Sequence, residues 1–295
     1  MQIGWSLSTG WRWRLAGYVA LTKPRIIELL LITTLPAMAV AAGGWPDTWL
    51  VVTTLIGGTL TAGGANALNS YLDRDIDEQM RRTSHRPLPA HRVSPRSAAG
   101  VGWALGTLGT VWLALTTNPL AAGIAAAALL FYVFVYTMGL KRSTSQNIVI
   151  GGAAGAAPVL VGWAAVTGSL TLPAWVLFAI VFAWTPPHFW ALALRYKDDY
   201  ARARIPMLPV VAGVGATARR ILLYSGITVL ASLALVPVTG LRWIYLLAAL
   251  GLGGWLVVES VRVLRDVGRA MTLFTYSTTY LTVLFAAMLL DRLVF

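Results

Sequence analysis

Apolar runs of roughly 20 residues, the length that crosses a bilayer as a helix, follow one another through almost the whole chain. They lie near 26–43, 49–70, 98–117, 120–140, 147–167, 173–194, 217–238, 243–261 and 272–291. No other feature restricts the fold so tightly. In hydrocarbon every backbone N–H and C=O must be bonded within the protein, and for runs of this length that means helices. The expected fold is all-α: a polytopic membrane protein with about nine transmembrane helices in a single domain, residues 1–295. Only 12% of residues are charged, against about 25% in soluble proteins. No soluble domain is expected between the spans.

Basic residues orient the spans. With the N-terminus cytoplasmic, only Arg242 and Arg292 of the 23 Lys and Arg residues fall outside, as the positive-inside rule requires. The same rule accounts for the net charge of +12, so no nucleic-acid partner is expected. The chain has no cysteine, which excludes disulfides and thiolate metal sites. Met1 to Tyr18 holds Arg12 and Arg14 but no apolar core with a small-residue cleavage site. No cleavable leader is expected, and a bacterial inner membrane is the expected location. Trp11, Trp13, Trp45, Trp49 and Trp243 fall near span boundaries and read as interface anchors. The two long connections, about 71–97 and 196–216, both fall inside, where loops of such length commonly bind ligands.

The second span ends in Asn66-Ala-Leu-Asn69-Ser-Tyr-Leu-Asp73-Arg-Asp75-Ile-Asp77-Glu78. On a helix Asn69, Asp73 and Asp77 form one stripe, with Asn66 a turn earlier and Asp75 pointing elsewhere. Acids so close at a membrane boundary need a cation. Mg²⁺ suits them, because it binds one or two carboxylates together with substrate phosphates. A solvated helix end with ion pairs to Arg74, Arg81 or Arg82 is the plainer alternative. Arg81, Arg82 and Arg86 follow, and guanidinium groups pair bidentately with phosphate oxygens. Lys141 and Arg142 belong to the same face.

The other long loop follows Trp184-Thr-Pro-Pro-His188-Phe-Trp190 and contains Lys197-Asp198-Asp199-Tyr200. Asp198 and Asp199 are candidates for a second metal position, and Lys197 and Tyr200 for phosphate contacts. His188 is an imidazole inside an apolar run, which marks it as functional by default; a core histidine bonded to a freed carbonyl is the alternative. Acids gathered at one inner face fit a diphosphate headgroup. They fit a transporter less well, since transporters place polar groups near the midplane. A transporter or non-catalytic assembly factor remains the competing class.

The pattern Asn69-xxx-Asp73-xxx-Asp77 resembles the first aspartate motif of the UbiA superfamily of intramembrane prenyltransferases. Asp73-Arg-Asp-Ile-Asp77 running on to Met80-Arg-Arg-Thr83 and Arg86-Pro-Leu88 is similar to the branch that farnesylates haem. So are Leu140-Lys-Arg-Ser-Thr-Ser-Gln-Asn147, Trp184 to Trp190 and Ile205-Pro-Met-Leu-Pro209. The resemblance runs from Thr22-Lys-Pro-Arg25 to the last helix. It implies a UbiA-like bundle and Mg²⁺-dependent transfer of farnesyl from farnesyl diphosphate to a vinyl group of haem b. The products would be haem O and diphosphate, on the route to the haems of terminal oxidases. It implies metal or catalytic roles for Asn69, Asp73 and Asp77. The second motif departs from the superfamily's Asp-xxx-Asp, because Arg202 follows four residues after Asp198 and Ala203 four after Asp199. His188 would orient haem, ligate its iron or act as a base. Haem A synthase or a terminal-oxidase assembly is an expected partner besides the lipid bilayer. A relative acting on a quinone precursor or chlorophyllide is the nearest alternative.

Overall fold

The computed structural model describes residues 7–295, with side chains from Leu15 onward. The side chains of Trp11, Arg12, Trp13 and Arg14 therefore lie outside the described residues.

Among the described residues nine helices are long and apolar enough to cross a membrane. A helix α1 (Leu7–Thr22) precedes α2 (Pro24–Ala42) and α3 (Thr48–Leu72), and a short α4 (Arg74–Gln79) follows directly. Next come α5 (Pro95–Thr116) and α6 (Pro119–Leu130). α6 continues as a π-helix, Phe131–Leu140, that closes in α7 (Lys141–Ser143). Then follow α8 (Asn147–Thr167), α9 (Leu172–Arg195), and the short α10 (Lys197–Arg202) and α11 (Leu208–Val211). The chain ends with α12 (Gly213–Thr239), α13 (Trp243–Arg265) and α14 (Ala270–Val294). The all-α, nine-span expectation holds.

Local chemistry sets the helix ends. Asp47 accepts from Leu50 N at 2.7 Å to cap α3, and Asn118 accepts from Ala121 N at 3.0 Å to cap α6. Proline sits in the first turn of α2, α5 and α6, where its missing N–H costs nothing. Such caps satisfy donors that lipid cannot. At the far end of the bundle Asp291, itself buried, accepts from the backbone N–H groups of Arg242 and Tyr245 at 2.8 and 3.0 Å.

Successive spans pack on one another in turn, and α14 returns against α2, so the ring closes. α2 also lies on α8, and α14 on α9. The closest pairing is α3 with α5. A Cβ on Gly64 would stand 2.5 Å from Gly106 N and 2.6 Å from Gly102 O, so two helix backbones meet there as small residues permit in membranes. Large apolar side chains such as Leu108, Leu115, Leu230 and Leu247 face outward, which is what a lipid-facing surface needs. The two long connections and the start of α8 gather at one end of the ring. Arg242 and Arg292 lie at the other, beside Asp291 and Gly43.

Candidate diphosphate and acceptor site

A cavity of about 720 Å³ opens at the loop-rich end and runs into the bundle. Its mouth is polar. Lys23, Arg25, Asn66, Asn69, Asp73, Asp77, Arg82, Arg86, Lys141 and Tyr200 line it. Deeper walls are apolar and aromatic, with Tyr132, Tyr136, Trp184, His188 and Phe274.

The polar stripe forms, but across a break in the helix. α3 stops at Leu72, Asp73 caps it with φ −90° and ψ 1°, and α4 restarts at Arg74. The i to i−4 spacing survives, because Asp73 N donates to Asn69 O at 2.9 Å and Asp77 N to Asp73 O at 2.8 Å. Asn69, Asp73 and Asp77 are all buried. Asn69 Nδ2 donates to Asp73 Oδ2 at 2.8 Å and to Thr137 Oγ1 at 3.0 Å. Lys141 Nζ lies 2.5 Å from the same Asp73 oxygen. Arg86 Nη1 reaches both Asp77 oxygens, at 3.0 and 2.9 Å. The ion-pair partners are thus Arg86 and Lys141, not the nearer Arg74, Arg81 or Arg82. Asp75 points away, as its register requires, and bonds Arg142 on the surface at 2.8 Å.

Two buried polar atoms at this mouth have no hydrogen-bond partner: Asp73 Oδ1 and Arg82 Nε. An uncompensated buried acceptor and an uncompensated buried donor are each costly. One calls for a cation and the other for an anion. The charge balance agrees, since five basic side chains (Lys23, Arg25, Arg82, Arg86 and Lys141) face two carboxylates (Asp73 and Asp77). No three acid or histidine side chains cluster as a metal cage among the described residues. The residues fit Mg²⁺ held jointly with a bound phosphate group, which is how this ion is usually coordinated.

The second acid pair is arranged differently. Asp198 is exposed and does not line the cavity. Asp199 is buried, but Arg202 occupies Oδ1 and the backbone N–H of Arg82 donates to Oδ2 at 3.3 Å. It ties α10 to the loop that carries Arg82. Arg81 is exposed, Arg142 is engaged by Asp75, and neither they nor Lys197 line the cavity.

Lys23, Tyr132, Tyr136 and Thr137 belong to the site although only the structure singles them out. Lys23 adopts a left-handed backbone (φ 54°, ψ 64°), stabilised where Asn66 Nδ2 donates to Thr22 O at 2.8 Å. This turns its Nζ onto Asn69 Oδ1 at 2.7 Å. Burial, followed by the nearby Arg86 charge, lowers its pKa to about 7. The motif before the first span holds Lys23 in plain view, yet it reads there as topology. Tyr132 and Tyr136 stack at 5.4 Å in the π-helical segment, where Thr137 Oγ1 donates back to Tyr132 O at 2.7 Å. A Cβ on Gly151 would lie 2.2 Å from the Tyr136 ring, so glycine is what admits that tyrosine. Apolar periodicity carries no trace of a π turn.

Residues 30–290 match the model of the UbiA prenyltransferase family. A protoheme IX farnesyltransferase of Salinispora tropica is 55% identical over 285 residues, covering 95% of this chain and 89% of that one. One of Clavibacter sepedonicus is 52% identical over 281 residues, covering 94% and 92%. Among solved structures, a digeranylgeranylglyceryl phosphate synthase superposes with a TM-score of 0.79 at 16% identity, covering 96% of this chain and 99% of that one. A UbiA homolog from Archaeoglobus fulgidus bound to DMAPP and Mg²⁺ gives 0.65 at 15% identity, covering 90% and 99%. At these identities the two structures establish a shared fold.

Proposed function

The chain belongs to the UbiA prenyltransferase family, and we propose that it transfers farnesyl from farnesyl diphosphate to a vinyl group of haem b, giving haem O and diphosphate. The donor half rests on one observation. An open carboxylate oxygen, Asp73 Oδ1, and an open guanidinium nitrogen, Arg82 Nε, share the mouth of a cavity whose depth is apolar. That pairing suits a metal-bearing diphosphate with a greasy tail. The acceptor half rests on the relatives named protoheme IX farnesyltransferase, which match over nearly the whole chain.

In this reading Asp73 would hold Mg²⁺ through its open Oδ1, with Asn69 and Asp77 beside it, their oxygens bonded by Lys23 and Arg86. Bound there, the ion would neutralise charge building on the leaving diphosphate. Lys23, Arg82, Arg86 and Lys141 take up the rest of that charge, in a site that requires no reorganisation. The C–O bond of the donor breaks and its electron pair departs with diphosphate. Tyr132, Tyr136 and the aromatic depth of the cavity keep water from the allylic cation and face it with ring electrons. The vinyl π pair forms the new C–C bond, and a water oxygen then closes the resulting cation with loss of a proton. Asp199 serves by holding the Arg82 loop. Residues 1–295 act as one domain. The loop-rich end faces the cytoplasm of a bacterial inner membrane, where basic residues collect and the soluble diphosphate is found. A lipophilic haem product calls for direct receipt by haem A synthase or a terminal-oxidase assembly.

Membranes carrying the protein, given Mg²⁺, farnesyl diphosphate and either haem b or 4-hydroxybenzoate, test the acceptor. Chromatography is expected to show farnesylated haem and no farnesylated benzoate. The reverse result would assign the chain to the quinone branch of the family.

A further inference from the structure

His188 sits two turns inside α9, away from the diphosphate mouth, and its environment fixes more than its position. Its Nδ1 lies 2.8 Å from Ser277 Oγ on α14. Ser277 Oγ lies 2.8 Å from Phe274 O. A serine hydroxyl has one proton and a carbonyl can only accept, so the Ser277 proton goes to Phe274 O. Ser277 Oγ is then left to accept, and His188 Nδ1 must carry the ring proton. In the neutral imidazole the lone pair falls on Nε2. The α14 serine engages the ring at Nδ1, and His188 lines the cavity.

The ring is also clamped. Trp184 stacks on one side at 4.4 Å and 20°, and Phe274 on the other at 4.4 Å and 24°. Trp184 Nε1 donates to Ser277 O at 2.7 Å. One residue therefore sets both the imidazole proton and the indole that holds the imidazole plane. Histidines that ligate metals are held this way, with the second ring N–H donated to a fixed acceptor. A base would use the same Nε2 lone pair, so iron ligation itself is the property to be read.

We propose that Ser277 is a positioning residue that locks His188 with its Nε2 lone pair directed into the cavity, as an axial ligand to the iron of the haem acceptor. This rests on the haem reading above and adds how the acceptor is gripped: by its metal, on the α9–α14 side, away from the charged mouth that takes the donor. The iron belongs to the substrate, and no bond to it breaks in the transfer.

Purified protein in detergent, loaded with ferric haem b and no farnesyl donor, provides the test. Wild type is expected to give the absorption and electron-paramagnetic-resonance signature of imidazole-ligated haem. His188→Ala loses that signature and regains it with added free imidazole. Ser277→Ala binds haem roughly 10- to 100-fold more weakly and shows a lowered iron–histidine stretch in the ferrous state, whereas Ser277→Thr keeps the wild-type stretch. A readout without variants is the ¹⁵N shift of His188 in haem-free protein, distinguishable from exposed His85 and His91, which is expected to show protonated Nδ1. A wild-type signature unchanged in His188→Ala, or a protonated Nε2, overturns the inference and leaves the haem reading standing. Failure of wild type to bind haem while it still binds farnesyl diphosphate removes the haem reading and this inference with it.

Discussion

The chain breaks its helix at the loop-rich end twice, once after α3 and once after α9, and puts acids at both breaks. Acids turn outward at each: Asp75 and Glu78 at the first, Asp198 at the second. Asp77 at the first break and Asp199 at the second are alike in having both oxygens bonded, Asp77 by Arg86; Asp73 differs. Asp73 keeps Oδ1 open, whereas both oxygens of Asp199 are occupied, by Arg202 and by the Arg82 backbone. Composition at the two breaks is alike. Coordination capacity is not, because it depends on lone pairs left over after the protein has satisfied its own donors. In the proposed reading the first break binds the metal and diphosphate, and the second is a clasp that holds the Arg82 loop beside it.

The largest test of this contrast is Asp73→Asn. It removes the open anionic oxygen and the negative charge that pairs with Lys141, and farnesyl transfer is expected to fall by about 100-fold or more at unchanged membrane levels. Next is Asp199→Ala, expected to cost about ten-fold in kcat/KM, the size of one hydrogen bond to a charged group. Asp199→Asn retains an oxygen for the Arg82 N–H and should lose less. If Asp199→Asn falls as far as Asp73→Asn, the second break is a metal site and the comparison fails. Asp198→Asn, changing an exposed group, should leave transfer within about two-fold.

The smallest effect concerns Asp75. Its hydrogen bonds from Arg142 hold its carboxyl below the usual carboxylate range. A lowered folded-state pKa contributes stability that is present at neutral pH and is lost as pH falls through that value. Wild type should therefore unfold slightly later than Asp75→Asn at pH 7, and the two should converge in strong acid. Thermal unfolding in detergent measures this. Both partners are largely exposed, so solvent screening keeps the difference small.

The same contrast explains what could be read in advance. The spans were legible because a bilayer sets a length that residues must meet with apolar side chains; the run near 49–70 became Thr48–Leu72. The Asn69, Asp73 and Asp77 stripe was legible because spacing of four survives the break at Asp73. Which cation meets which acid was not. The loop after α4 offers several arginines, and only its folded path brings Arg86 rather than Arg81 to Asp77. Nor can sequence tell an acid with a free oxygen from one already satisfied, so Asp198 and Asp199 stood there as equals. His188 stood out as an imidazole among apolar residues, while Ser277, 89 positions away, looks like any serine in a membrane helix.

Farnesyl diphosphate binding to the purified protein, titrated with Mg²⁺, tests the open Asp73 oxygen most directly. Tight binding is expected only with Mg²⁺ present, and Asp73→Asn should abolish the Mg²⁺-dependent part while Asp199→Asn retains it. Equal affinity without the ion, or a Mg²⁺ response untouched by Asp73→Asn, would contradict the assignment of the first break as the metal–diphosphate site.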